Sequence, residues 1–165
     1  MTMLKPTPAL QPSLTMTLAE ALQAAMAFED TAHRFYRVLA EQVHPEMRPL
    51  VLELASEEQH HHRLLAELAA DPALEDHLGS LIETPPSDTG FADYIPLPDL
   101  PAEPVEDDIL AYAEAREQIA REHYGYLAEL APHGPLRDLF RFLYQEEQRH
   151  ADNVARRWTT LFSIL

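Results

Sequence analysis

The stretch Leu54-Ala55-Ser56-Glu57-Glu58-Gln59-His60-His61 comes back near the other end of the chain as Leu143-Tyr144-Gln145-Glu146-Glu147-Gln148-Arg149-His150. The two copies share Leu, the paired Glu, Gln and the last His. Each sets a Glu and a His three residues apart, Glu58 with His61 and Glu147 with His150. On a helix those positions lie on one face, so each pair can grip a metal ion from one side. A single Glu-x-x-His carries little weight, because both residue types are common on helix surfaces. Two copies in matching apolar frames carry much more.

The frames around them are helical. Leu18, Leu22, Ala25, Glu29, Ala32, Tyr36, Leu39, Ala40 and Val43 recur every three to four residues, with Thr15 or Thr17 placed to cap the start. His44-Pro45 marks a turn, and a second helix is expected from Pro45 to Ala70 through Leu50 or Val51, Leu54, Glu58, His61, Leu65 and Leu68. Asp71-Pro72 breaks it, with a short helical piece expected up to Leu81. A third helix is expected over Val105–Ala131, opening on Glu106, Asp107 and Asp108, which suit a helix N-terminus. Its stripe is Leu110, Ala113, Glu114, Glu117, Ala120, Tyr124, Leu127 and Ala128. After Pro132-His133-Gly134-Pro135 a fourth helix runs from Pro135 to Phe162 through Leu139, Leu143, Glu147, His150, Val154, Trp158 and Leu161.

Between helices two and three, the stretch 83–104 holds Pro85, Pro86, Pro96, Pro98, Pro101 and Pro104, so it reads as a crossover without regular structure. Phe91, Tyr94, Ile95, Leu97 and Leu100 would anchor it along the body. Some twenty extended residues reach roughly 70 Å, whereas a 26-residue helix is only about 39 Å long. The crossover can therefore run the whole length of a bundle. The expected organisation is an irregular segment over 1–16 and one antiparallel four-helix domain over 17–165, with the crossover at about 82–104.

The first and third helices are also related. Ala25, Ala27, Glu29, Ala32, Tyr36, Leu39, Ala40 and Glu41 match Ala113, Ala115, Glu117, Ala120, Tyr124, Leu127, Ala128 and Glu129. The chain is two helical hairpins of one pattern. Glu29 lies 15 residues before His44 and Glu58 lies 14 after it; Glu117 lies 15 before Pro132 and Glu147 lies 15 after it. All four therefore sit about 22 Å from their turns. With the hairpins paired opposite ends up, four carboxylates and two imidazoles meet at mid-height.

Such a buried cluster is costly unless cations balance it. Two divalent ions do so. The arrangement also follows the rule for carboxylate-bridged di-metal bundles, one Glu from each of two helices and Glu-x-x-His from each of the other two. Glu114 lies three residues before Glu117, where the first helix has Met26; it is read as a seventh ligand, with an exposed carboxylate as the alternative. Tyr36 and Tyr124 lie two turns beyond Glu29 and Glu117, placed to hydrogen-bond a carboxylate or to fill core. His33 reads equally as a neighbour of the site or as exposed, and His60 and His62 as exposed.

These residues resemble the rubrerythrin family of the ferritin-like di-iron superfamily over residues 17–162. The carriers are Glu29, Glu58-x-x-His61, Glu117, Glu147-x-x-His150, the two tyrosines, and above all Glu114-x-x-Glu117. The resemblance implies a ferritin-like bundle and a site in which iron shifts between Glu114 and His61 as its redox state changes. Glu114, Tyr36 and Tyr124 are then the candidate catalytic residues. Glu58 and Glu147 are candidate bridges, His61 and His150 terminal ligands, Glu29 terminal on one metal, and Glu117 with Glu114 on the other. With no cysteine, the chain resembles the short members that lack a rubredoxin domain.

The expected function is a non-haem di-iron peroxidase that reduces hydrogen peroxide to water with electrons from an external donor, a rubredoxin-like protein or a reductase. The rivals are a ferroxidase or oxidase using dioxygen and a structural metal-binding bundle. Oxygen and nitrogen ligands suit iron best, with Mn/Fe or Mn/Mn pairs as alternatives. The absence of cysteine rules out disulfides, Cys-ligated zinc, iron–sulfur centres and thiol nucleophiles. A net charge of -16 argues against nucleic-acid or anionic-membrane partners. No apolar run has membrane-spanning length, and Pro6, Pro8 and Pro12 break any leader-like segment, so a cytoplasmic location is expected. The apolar end, from Trp158 to Leu165, reads as a homodimer contact or a last turn of core. The crossover is also long enough for a dimer with exchanged helix pairs.

Overall fold

A computed structural model describes residues 14–84 and 100–162. In order, the elements are β1 (Leu14–Thr17), α1 (Leu18–Gln42), α2 (Arg48–Ala69), a 3-10 turn at Pro72–Leu74, α3 (Glu75–Leu78), β2 (Leu81–Thr84), α4 (Glu106–Leu130) and α5 (Pro135–Phe162). The four long helices form the expected antiparallel bundle. α1 packs along α2 and α4 along α5, and the two hairpins meet mainly between α2 and α5.

Local chemistry sets the helix ends. Thr17 caps α1: Glu20 N donates to its Oγ1 at 3.1 Å, and the Glu20 carboxylate accepts from Thr17 N at 2.8 Å. At the start of α4 the Asp108 carboxylate accepts from Val105 N at 3.0 Å. Gly134 has φ of 126°, which only glycine adopts readily, and it turns the chain from α4 into Pro135. Arginines at matching places in the repeat close both hairpins. Arg48 Nε donates to Ala40 O at 3.0 Å and Arg137 Nε to Ala131 O at 2.9 Å.

Two elements differ from the expectation. α2 starts at Arg48 rather than Pro45, because His44–Met47 forms a hydrogen-bonded turn, Met47 N to His44 O at 2.9 Å. The segment at 14–16 is not irregular, and the crossover does not start without structure. β1 and β2 pair antiparallel with Leu14 opposite Thr84 and Thr17 opposite Leu81. Leu18 N donates to Ser80 O at 2.9 Å, so this ribbon ties the start of α1 to the segment after α2. The expected anchors Phe91, Tyr94, Ile95 and Leu97 lie outside the described residues, as do the side chains of Trp158, Leu161 and Phe162.

The core comes in two apolar halves. One gathers Leu18, Leu22 and Phe28 from the start of α1, Leu65 near the end of α2, Leu127 late in α4, and Leu136 and Phe140 from early α5. The other gathers Leu39 and Val43 from the end of α1, Val51 and Leu54 from early α2, Ile109 and Leu110 from early α4, and Val154 late in α5. The turns of the two hairpins therefore lie at opposite ends of the bundle. Each fully buried Leu or Phe contributes roughly 1.5–3 kcal/mol. Between the halves lies the one layer the hydrophobic effect does not explain.

Candidate metal centre

That layer holds Glu29 from α1, Glu58 and His61 from α2, Glu117 from α4, and Glu147 and His150 from α5. All are buried, none more than 3% exposed. Every one was placed there by helix position alone: a polar residue in an otherwise apolar stripe is carried inside with it. Glu29, Glu58, His61 and Glu147 form one group whose ligand atoms lie within 4.8 Å of one another, and Glu58, Glu117, Glu147 and His150 form a second. Glu58 and Glu147 belong to both.

The imidazoles stack, 5.3 Å between centroids and 9° between planes. His61 Nδ1 lies 2.8 Å from Glu147 Oε1 and 3.9 Å from Glu29 Oε2. His150 Nδ1 lies 3.3 Å from Glu117 Oε2 and 3.5 Å from Glu147 Oε2. Most of these approaches lack hydrogen-bond alignment. His61 Nδ1, Glu29 Oε2, Glu117 Oε1 and both Glu147 oxygens are buried without a hydrogen-bond partner. Buried polar atoms are almost always satisfied, so a convergence of orphaned donor atoms marks a missing common partner. The donors are four carboxylates and two imidazoles, the set that suits iron or manganese. The residues fit a metal pair.

The electrostatics agree. Burial pushes Glu58 and Glu117 well above the usual carboxylate range, and the neighbouring carboxylates push both further. Burial also raises Glu29. Burial opposes ionisation of Glu147 too, but the neighbouring imidazoles of His150 and His61 hold it far below the usual range. Burial disfavours His150 as a cation, yet Glu117, Glu147 and Glu57 push it up to about 12. Four carboxylates here resist being ionised together, and a pair of divalent cations reverses that.

The other candidates divide. Tyr124 is fully buried and its hydroxyl donates to Glu29. Tyr36, its counterpart in the repeat, is equally buried but its hydroxyl has no partner. Glu114 is half-buried and stands in none of the groups of converging atoms. His33 is half-buried and ties α1 to α2, with Nδ1 2.6 Å from the Ala55 carbonyl. Two residues were not singled out from the sequence. Glu57 approaches His150 Nε2 at 2.6 Å from outside the cluster. Arg116 is buried beside Glu117. A signal for Glu57 existed, since the doubled Glu is repeated; its mate Glu146 instead pairs with Arg149 at 2.7 Å.

Antiparallel helix pairs joined by a long crossover, with two Glu-x-x-His hooks facing two further Glu residues, define a ferritin-like di-metal carboxylate protein. The rubrerythrin family model matches residues 20–157, and the chain belongs to that family. A ferritin-like diiron-carboxylate protein from Thermotoga maritima superposes with a TM-score of 0.68 at 21% identity, over 86% of this chain and 93% of that one. A hypothetical protein from Pyrococcus furiosus superposes with a TM-score of 0.65 at 25% identity, over 90% and 92%. Comparison with curated proteins gives no match. The cluster is of the di-iron type typical of rubrerythrin-like oxidoreductases, a site capable of redox chemistry. No helix among the described residues is long and apolar enough to cross a membrane.

Proposed function

We propose that the chain is a non-haem di-iron peroxidase that reduces hydrogen peroxide to water with electrons from an external donor. The observation that carries it is the pair of four-residue groups sharing Glu58 and Glu147, lined by orphaned donor atoms. Membership of the rubrerythrin family supports redox chemistry at this cluster. Glu58 and Glu147 would bridge two irons. His61 and Glu29 would complete one, and His150 and Glu117 the other. A manganese-containing pair would fit the same donors.

When bound, an iron pair in this cluster would supply the two electrons that convert H2O2 and two protons into two water molecules. The protein does the rest. The apolar halves above and below exclude water from the cluster. Tyr124 holds Glu29 by its hydroxyl, and the Glu57 carboxylate lies 2.6 Å from the outer nitrogen of His150 as an ion-pair neighbour. Glu114, one turn before Glu117 and outside the cluster in this arrangement, is the carboxylate held in reserve for a change of redox state. The proposed electron source is a rubredoxin-like protein or a reductase. A homodimer, with or without exchanged hairpins, is the proposed assembly.

The test is anaerobic iron loading followed by rapid mixing with peroxide or with dioxygen. Two irons per chain and faster oxidation by peroxide are expected. Faster oxidation by dioxygen would assign a ferroxidase instead. One iron or none would remove the di-iron reading, and tightly held zinc without optical change would leave a structural bundle.

A further inference from the structure

Two buried polar groups beside the cluster have no part in holding the metals. Arg116 is 5% exposed and precedes Glu117 in α4. Its guanidinium carbon lies 4.5 Å from the centre of the Phe28 ring on α1, and it hydrogen-bonds Tyr112 one turn away. Among the described residues no carboxylate comes within ion-pair distance of it, and its Nε is buried without a hydrogen-bond partner. Tyr36, on α1, is the second. Its hydroxyl is fully buried and unpartnered, and it lies within electrostatic reach of Arg116, Glu58 and Glu117.

Neither is what the repeat leads one to expect. Phe28 occupies the place in α1 that Arg116 occupies in α4, and Tyr124 shows how the Tyr36 position is satisfied when it serves a carboxylate. A buried guanidinium without a counter-charge and an orphaned hydroxyl are both unfavourable inside a protein. Charge counting says what removes the cost. Four cluster carboxylates cancel two divalent ions. Arg116 then leaves one positive charge over, next to an unused hydroxyl donor. Both belong to the seam between α1 and α4, on one side of the cluster.

We propose that Arg116 and Tyr36 form a binding position for one small monoanion on the α1–α4 side of the metal pair. Resting on the peroxidase reading, the anion in turnover is hydroperoxide or the hydroxide left after reduction. Arg116 supplies the charge and Nε–H donor, and Tyr36 the hydroxyl donor. The proposal concerns binding alone and moves no electrons.

Sodium azide is the probe. Protein loaded with ferrous iron under anaerobic conditions is titrated with azide and followed by calorimetry, in the wild type, Arg116→Lys, Arg116→Met and Tyr36→Phe. Iron per chain and melting temperature are measured on each. One azide per iron pair is expected in the wild type. Arg116→Met should weaken it roughly tenfold to a hundredfold, as for loss of a charged hydrogen bond, and Tyr36→Phe about fivefold, with Arg116→Lys retaining part. If Arg116 only ties α1 to α4, its variants change the melting temperature while azide affinity stays, which overturns the proposal. Should Arg116→Met fail to fold, wild-type affinity in both Tyr36→Phe and Arg116→Lys overturns it equally. Two irons and no azide in the wild type overturn the anion position and leave the peroxidase reading standing. No iron pair overturns both.

Discussion

Removing a metal ligand usually weakens a protein, but Glu58→Gln should stabilise the metal-free chain. Glu58 is buried, and its pKa is pushed well above 4.5 by burial, then by Glu29 and Glu117. A carboxylate raised in the folded state opposes folding once pH exceeds its unfolded value. The penalty is absent below about 4.5 and grows as pH rises through the window above it. Each unit of upward displacement removes about 1.4 kcal/mol at neutral pH. A gain above about 1 kcal/mol is expected at pH 7, or roughly 2–4 °C in melting temperature for each kcal/mol in a chain of this size. Glu147→Gln should do the opposite. Its carboxylate is lowered by the two imidazoles, so its contribution is full above about 4.5 and fades below. Breaking such a buried pair costs roughly 3–5 kcal/mol. Both variants should lose the metal-dependent stabilisation, about 2.7 kcal/mol when free metal is a hundred times the dissociation constant. The assay is thermal and denaturant unfolding of chelator-treated protein at about pH 7 and pH 4.5, repeated with ferrous ion under anaerobic conditions. Shifts of the same sign in the two metal-free variants would refute the electrostatic account. Undiminished stabilisation by iron in either would refute the ligand assignment.

Glu57→Ala should lower the affinity of one metal position roughly tenfold to a hundredfold while sparing the other, because only His150 loses its outer partner; competition titration with a chromophoric chelator resolves the two steps, and equal loss at both would count against a positioning role. His123 is pushed down to about 3 by burial, so it folds neutral and opposes acid. Stability tied to it is full above about 6.5 and falls as pH drops toward 3, by up to about 2 kcal/mol at pH 5. Metal-free His123→Gln should therefore gain on the wild type as pH falls, and parallel stability curves would contradict this.

What the sequence made legible was whatever repeats. Glu58-x-x-His61 and Glu147-x-x-His150 specify a helix face, and the counts from His44 and Pro132 specify a height, so six side chains could be brought to one layer. The ribbon was invisible, because four-residue strands carry no period that stands out from loop. The start of α2 slipped by a turn because Pro45 is as compatible with a preceding turn as with a first helical residue. Glu114 shows the limit of face arithmetic. Being three residues from Glu117 fixes its side of α4, but not whether it reaches the cluster or stays half-buried beside it. Arg116 was hidden for the reason that makes it informative: a charge in a core position is read from sequence as a surface residue.

The departures from the repeat bear on the chemistry more than the matches do. Matching positions explain why there is room for two metals; the mismatches make their surroundings unequal. Met26 faces Glu114 in the alignment, Phe28 faces Arg116, and His60 faces Arg149. Arg149 holds Glu146, so the outer carboxylate that serves His150 through Glu57 has no counterpart for His61. Tyr124 is committed to Glu29 while Tyr36 keeps a free hydroxyl. A symmetric cage would bind two ions equally and offer an incoming molecule no preferred side. Here the buried guanidinium and the unpartnered phenol lie where α1 meets α4, whereas the His150–Glu57 contact belongs to the α2–α5 seam. The two flanks of the cluster therefore differ in charge and in hydrogen-bonding capacity.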